Sequence, residues 1–296
     1  MLLQRAAPPT ARNAPCAHAS SLAALSWPDL AKHLPEWYAR VSAYAHAAGL
    51  RTGRCPLTVR PGEQALFWGK RKVFQSPDPA GLLAVADWCL LTTWVHRLFE
   101  SHFVHHAASL ERDDHALVLL GPSGAGKSSL ALELIRRGLR YLCDEYAIIE
   151  PRTLRALPFP RALRIKRETS GRLPTCPTSD PDFDVARYPA RFHQRRDSEL
   201  ACFPRPHVVP PPGERFPVRW VVFLTPVPGG TPRVVPRSEA MRRLYETSRG
   251  PAPETFRAIA AFTRQARFWE TGRFELAAMT DQILAFLDST KDGTSN

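Results

Sequence analysis

The sequence predicts an α/β fold with a mixed central sheet built around a phosphate-binding loop and preceded by an α+β extension. Three observations carry this. An apolar strand, residues 116–120, runs directly into Gly121-Pro122-Ser123-Gly124-Ala125-Gly126-Lys127-Ser128, and a helical spacing of Leu130, Leu134 and Ile135 follows. Short apolar segments joined by polar turns flank the loop on both sides, which implies hairpins and therefore a sheet that is not wholly parallel. A helix-and-short-strand pattern fills the hundred residues before it.

In chain order, Leu30, Leu34, Trp37, Tyr38, Val41 and Tyr44 give residues 27–49 the apolar stripe of a helix, with Pro35 expected to interrupt it. Strands are expected at 57–59 and 65–68, then a turn-rich QSPDPAG patch, then a largely buried helix over 82–101 with Trp88 and Trp94 as core candidates. Residues 103–110 and 116–120 read as two strands joined by the polar ERDD turn. The helix after the loop spans 128–137 and stops at Gly138, a residue suited to the left-handed conformation after a helix end. Strands follow at 140–143 and 147–150, and 154–157 completes a hairpin. The proline-dense stretch 171–217 reads as a long loop or lid. A strongly apolar strand at 219–225 and closing helices at 239–248 and 253–269 end the fold. The expected organisation is a disordered arm 1–20, an extension 21–101, a catalytic domain 102–287 and a disordered tail 288–296.

Composition narrows the class. At 296 residues and 44% apolar content the chain can bury a full core. It has no run of eighteen apolar residues and no apolar leader segment near its start, so a cytoplasmic location without a membrane partner is expected. The apolar run after residue 82 is broken by Asp87, His96 and Arg97. The six cysteines form no CxxC pair and no zinc-ligand spacing, which argues against a disulfide framework or a structural zinc. The net charge is +12, and residues 151–250 hold 19 Arg and Lys against 9 Asp and Glu. Such a surplus could receive an acidic peptide or a phosphorylated substrate. Arginine makes up 34 of the 40 basic residues, a bias that high-GC coding also produces, so nucleic acid is not an expected partner.

The loop satisfies GxxxxGK[ST] in its proper strand–turn–helix context. Glycines 121, 124 and 126 let the backbone N–H groups converge on phosphate oxygens, and the helix N-terminus adds a favourable dipole. Lys127 is expected to reach the β- and γ-phosphates of ATP, Ser128 to offer its hydroxyl to Mg²⁺, and Ser129 to stand in the first helical turn beside them. Asp144 and Glu145 end a short strand seventeen residues after Lys127. A strand returning beside the loop would bring these carboxylates to the γ-phosphate, one to accept the proton of an attacking hydroxyl and the other to hold metal-bound water. His105 and His106 lie in the strand pair before the loop.

The stretch HAASLERDDHALVLLGPSGAGKSSLALELIRRGLRYLCDE resembles the catalytic core of the HPr kinase/phosphorylase family and its wider set of related kinases, and LPFPRALRIK is similar to a proline-arginine segment of the related kinases. The resemblance implies a P-loop fold of the HPr kinase and phosphoenolpyruvate carboxykinase type. It also implies ATP with Mg²⁺ as cofactors, Asp144 as general base, Lys127 and Ser128 on phosphates and metal, His106 at the active site, and Glu145 keeping a metal-side role. The sequence departs from the family at Arg164, which stands where a later acidic residue would be, and it shows no copy of the bifunctional enzymes' N-terminal domain or C-terminal signature. HPr is therefore not the implied acceptor; the related kinases, implicated in modifying peptides such as lasso-peptide precursors, are the nearer match. The leading expectation is transfer of the γ-phosphoryl group to a hydroxyl, most plausibly serine of a peptide or small protein. A small-molecule kinase and a non-catalytic nucleotide-dependent regulator are the alternatives, and an oligomer is allowed.

Overall fold

The computed structural model describes residues 25–166, 181–187, 199–249 and 252–289. The expected arm 1–20, the stretches 171–180 and 188–198, and the tail from 290 lie outside the described residues.

Helix α1 (Trp27–Ala47) starts where Ser26 caps the N–H of Asp29, and it buries Leu30, Leu34, Trp37, Tyr38, Val41 and Tyr44. It runs unbroken through Pro35, contrary to the expected interruption. A proline inside a helix costs about 3 kcal/mol through one lost hydrogen bond and a steric clash. Burial of one Trp ring, two Tyr rings and three aliphatic side chains on the same face outweighs that. Strands β1 (Leu57–Arg60), β2 (Ala65–Trp68) and β3 (Arg71–Gln75) form an antiparallel meander. Helix α2 (Pro79–Leu98), capped by Asp78, is buried on nearly every side, as its apolar run requires. Trp94 is buried and Trp88 half-buried.

The expected strand 103–110 is two strands, β4 (Phe103–His105) and β5 (Ala107–Arg112). The chain changes partners at His106: β4 pairs with β8 (Ala147–Ile149), whereas β5 pairs with β6 (His115–Leu120) on one side and β7 (Arg140–Cys143) on the other. Helix α3 (Lys127–Arg136) connects β6 to β7, and Gly138 beyond it has φ +97°, the left-handed conformation its sequence position foretold. Strand β9 (Arg155–Ala156) closes the hairpin with β8.

Part of the expected loop 171–217 is ordered as strand. Strands β10 (Leu163–Lys166), β11 (Phe183–Arg187) and β12 (Glu199–Pro204) form a small antiparallel sheet with β12 in the middle. Six residues of strand between proline-rich flanks give too short an alternation to register against that background. Strand β13 (Phe216–Pro228) follows, then β14 (Arg233–Val234), α4 (Arg237–Thr247), β15 (Ser248–Arg249) and α5 (Ala252–Gln265). The helix expected to reach Trp269 stops at Gln265, and β16 (Arg267–Arg273) takes over. Its side chains alternate: Phe268 enters one core cluster, while Trp269 packs against the other and stacks on Phe286 at 5.1 Å. Helix α6 (Leu276–Ser289), which the sequence reading did not separate, closes the fold and runs two residues into the expected tail.

The central sheet is mixed. Strands β6, β13 and β16 are mutually parallel, and β7 joins their direction because β5 runs antiparallel to both β6 and β7. Alternate residues serve the two faces. Leu117, Leu119, Trp220, Val222 and Leu224 join α3 and α6 in one core cluster, whereas Val118, Leu120, Val221 and Phe223 join α4 and α5 in the other. This topology brings the C-terminal ends of β6, β7, β13 and β16, and the residue entering β5, to one edge of the sheet. The entering residue is His106.

Candidate active site

The phosphate loop leaves the C-terminal end of β6 at that edge. Gly121 lies so close to β13 that a Cβ built there would sit 2.7 Å from the carbonyl oxygen of Leu224, a contact no side chain tolerates. Gly124 and Gly126 have φ of +88° and +93°, and Gly126 is the cap residue of α3. Pro122, Ser123 and Gly124 are exposed, Ala125 is tucked in, and Ser128 and Ser129 are half-buried in the first turn of α3. Lys127 is nearly buried, and its Nζ donates to the carbonyls of Gly121 at 2.7 Å and Pro122 at 3.1 Å. The ammonium is thereby held over the concave side of the loop, where phosphate oxygens would arrive.

Asp144 follows the last residue of β7 and is fully buried. Its Oδ2 accepts from the Ser128 hydroxyl at 2.8 Å and from the backbone N–H of Arg164 at 3.3 Å, while its Oδ1 is buried with no hydrogen-bond partner among the described residues. Burial first, and the neighbouring Glu145 second, push the carboxyl's pKa up; the Ser128 bond pulls it back. Glu145 stands in the left-handed region at φ +68°. Its carboxylate turns onto two arginines, with Oε2 at 2.8 Å from Nη1 of Arg161 and Oε1 at 3.4 Å from Nη1 of Arg164. Arg164, the residue in place of a later acid, therefore contributes a cation beside the acidic pair.

The two histidines part company at the strand break. His105 is fully buried, bonded through Nδ1 to Thr247 Oγ1 at 3.2 Å, and burial holds its pKa down to about 3, so the ring is neutral. His106 is exposed and packs edge-on against Tyr146. Its pKa is lowered by desolvation and then by the Lys127 ammonium. His106, Tyr146, Gly121 and Pro122 line a cleft of about 1080 Å³ whose other walls are Phe99, Val104, Phe223 and Thr225, with Arg243, Glu246 and Arg249 also on its lining. Arg243 is already bound by Glu239 and Glu270, and Glu246 by Arg242, while Arg249 is exposed on that wall.

The structure thus brings Lys127, Ser128, Asp144 and His106 to one edge, with Glu145 turned onto arginines beside them. The sequence reading missed Arg161, Asp87 and the cleft wall from α4 and β15. Asp87 carried a signal, since it is the lone acid inside the buried run of α2; it is 1% exposed, and burial raises its pKa to about 7. The cleft wall had none, because it depends on β15 pairing with β4 across more than 140 residues of chain.

A resident magnesium fits what is present. Ser128 Oγ, backed by Asp144 Oδ2, is a hard oxygen donor, and Mg²⁺ ordinarily takes few protein ligands, completing its shell with water and phosphate. Among the described residues no group of three or more His, Cys, Asp and Glu converges as a metal cage. No described helix is long and apolar enough to cross a membrane.

No family model matches the chain, and no curated protein matches it. Among solved structures it is similar to the Hpr(Ser) kinase/phosphatase from Coxiella burnetii, at 12% identity over 64% of this chain and 99% of that one, with a TM-score of 0.32. A superposition that loose leaves the chemistry to this chain's own residues.

Proposed function

We propose that this chain is an ATP-dependent phosphotransferase that moves the γ-phosphoryl group to a hydroxyl, with serine of a peptide or small protein as the acceptor. The observation that carries the reading is the 2.8 Å bond between Ser128 of the phosphate loop and a buried Asp144 whose second oxygen has no partner among the described residues. A loop alone binds a triphosphate; a loop tied to a carboxylate with a free oxygen can also move a proton beside it.

In this reading the loop's N–H groups and Lys127 hold the β- and γ-phosphates, with the ammonium exchanging a carbonyl for a phosphate oxygen. Bound magnesium, held at Ser128 with Asp144 behind it, supplies charge neutralisation on the phosphate oxygens. The acceptor enters through the cleft walled by His106 and Tyr146. Its O–H proton passes to Asp144 Oδ1, its oxygen bonds to the γ-phosphorus, and the bond from that phosphorus to the β–γ bridging oxygen breaks. ADP and a phosphomonoester result. The raised pKa of Asp144 suits it to accept the proton. Glu145 could act on the metal side only after releasing Arg161 or Arg164.

The size of the cleft favours one second reading, a small-molecule alcohol as acceptor, since ligand pockets commonly measure about 300–1,000 Å³. Incubation with γ-labelled ATP and two panels, serine peptides with acidic or neutral flanks and small alcohols, separates the two. Label on a peptide supports the first reading and label only on alcohols the second. Transfer at the wild-type rate by Asp144→Asn would remove Asp144 from the role of base.

A further inference from the structure

Beneath the acidic pair lies a set of charges that the transfer step itself does not touch. Arg161 has no exposed surface, and Asp87 on α2 has almost none. The guanidinium of Arg161 meets Glu145 at 2.8 Å and lies 5.6 Å from the centre of the Tyr146 ring. Its backbone carbonyl accepts from the Tyr141 hydroxyl at 2.7 Å, which ties the segment to β7. Both oxygens of Asp87 accept from the next N–H along, that of Ala162, at 3.4 and 3.3 Å, and the Arg161 charge offsets part of the burial cost of Asp87. Helix α2, more than fifty residues away in sequence, therefore reaches the floor of the site through the bond from Ala162 N–H to Asp87.

Buried charges of this kind are weak stabilisers, because desolvation consumes most of what their attraction returns. Their placement under a strained residue suggests another use. Glu145 is a non-glycine residue at φ +68°, a conformation that persists only where the surroundings over-determine it. Its two carboxylate oxygens are each met by an arginine. The backbone that turns there also sets the direction of Asp144, one residue earlier.

We propose that Arg161, braced by Asp87, is a positioning residue that pins Glu145 in its left-handed turn and thereby aims Asp144 at Ser128. The inference rests on the phosphotransfer reading for its effect on rate, but its geometric content stands apart from it. Arg161→Met alone leaves Asp87 buried without its main compensating charge and Glu145 with Arg164 alone, and can fail to fold, so the decisive variant is Asp87→Asn with Arg161→Met, which removes both groups together.

Crystal structures of the wild type and the double variant test the geometry. Loss of the Ser128–Asp144 bond, with Glu145 leaving positive φ, is the expected result, and retention of both overturns the proposal. Steady-state kinetics and titration calorimetry with MgATP then read the consequence. The double variant is expected to lose about 10- to 100-fold in kcat, as supporting residues around ligating groups typically do, with ATP affinity changed less than about threefold. Arg161→Lys should recover part of the loss. A folded double variant with wild-type kcat overturns the positioning role, whereas a wild type that binds ATP and transfers to nothing overturns the phosphotransfer reading and leaves the crystallographic test of Arg161 in force.

Discussion

The phosphate loop and the charge cluster beneath it handle charge by opposite means. The loop is eight consecutive residues that present backbone groups and one lysine at a sheet edge, with three of its residues open to solvent. The cluster gathers Asp87, Asp144, Glu145, Arg161 and Arg164 from three separate stretches of chain, with Asp87, Asp144 and Arg161 buried and Glu145 and Arg164 half-buried. The loop works by glycine conformation and a helix N-terminus and needs little from the rest of the chain beyond a place to sit. The cluster works only if the whole topology is formed, because Asp87 comes from α2 and Arg161 from the crossing between β9 and β10. On the proposed reading, binding is thus entrusted to a local device, and the orientation of the proton acceptor to a global one.

Asp144 joins the two, so its substitution should produce the largest effect. Asp144→Asn is expected to lower phosphoryl transfer by about 10²- to 10⁴-fold, the usual worth of a general base, with MgATP affinity nearly kept. A matched loss of affinity in calorimetry would mean that Asp144 belongs to the loop rather than to a separate device.

Asp87 offers a pH test of the cluster. Its folded pKa, about 7, lies above the unfolded value of 3.8, so between those values the folded state holds a proton that the unfolded chain has lost. Its contribution to stability is therefore present at low pH and declines as pH rises, by about 1.4 kcal/mol per unit between roughly 4 and 7. Asp87→Asn should remove that slope, measured as the difference between wild-type and variant urea midpoints across this range. Equal slopes would show that the carboxyl is not buried as described.

The smallest effect expected belongs to Gly121. Gly121→Ala places a methyl 2.7 Å from the Leu224 carbonyl, and strand β13 cannot yield without breaking its pairing with β6 and β16. A loss of about 1–3 kcal/mol in stability is expected from such overpacking, read as a lower Tm. An unchanged Tm would show that the loop can lift off the strand.

The same contrast explains what the sequence disclosed. Residues 121–129, the helix after them and the Gly138 stop were legible because each depends on neighbours within a few positions. Asp144 was legible by spacing, since a strand parallel to β6 must end beside the loop. Arg161 and Asp87 were not, because the bond from the Ala162 N–H to Asp87 spans 75 residues of chain and follows from topology alone. The parallel strand β16 was read as helix because α5 precedes it without a proline or glycine stop, and only Phe268 and Trp269 pointing to opposite cores reveal the period of two. The break at His106 was hidden because the residues on both sides are equally strand-like; what divides them is a change of partner strand.

Titration calorimetry of MgATP against the wild type and Lys127→Ala tests the central claim most directly. The loop geometry predicts saturable binding by the wild type and loss of tight binding when the Nζ that bridges Gly121 and Pro122 is removed. Unchanged affinity in the folded variant would contradict it, and with it the phosphotransfer centre built on that loop.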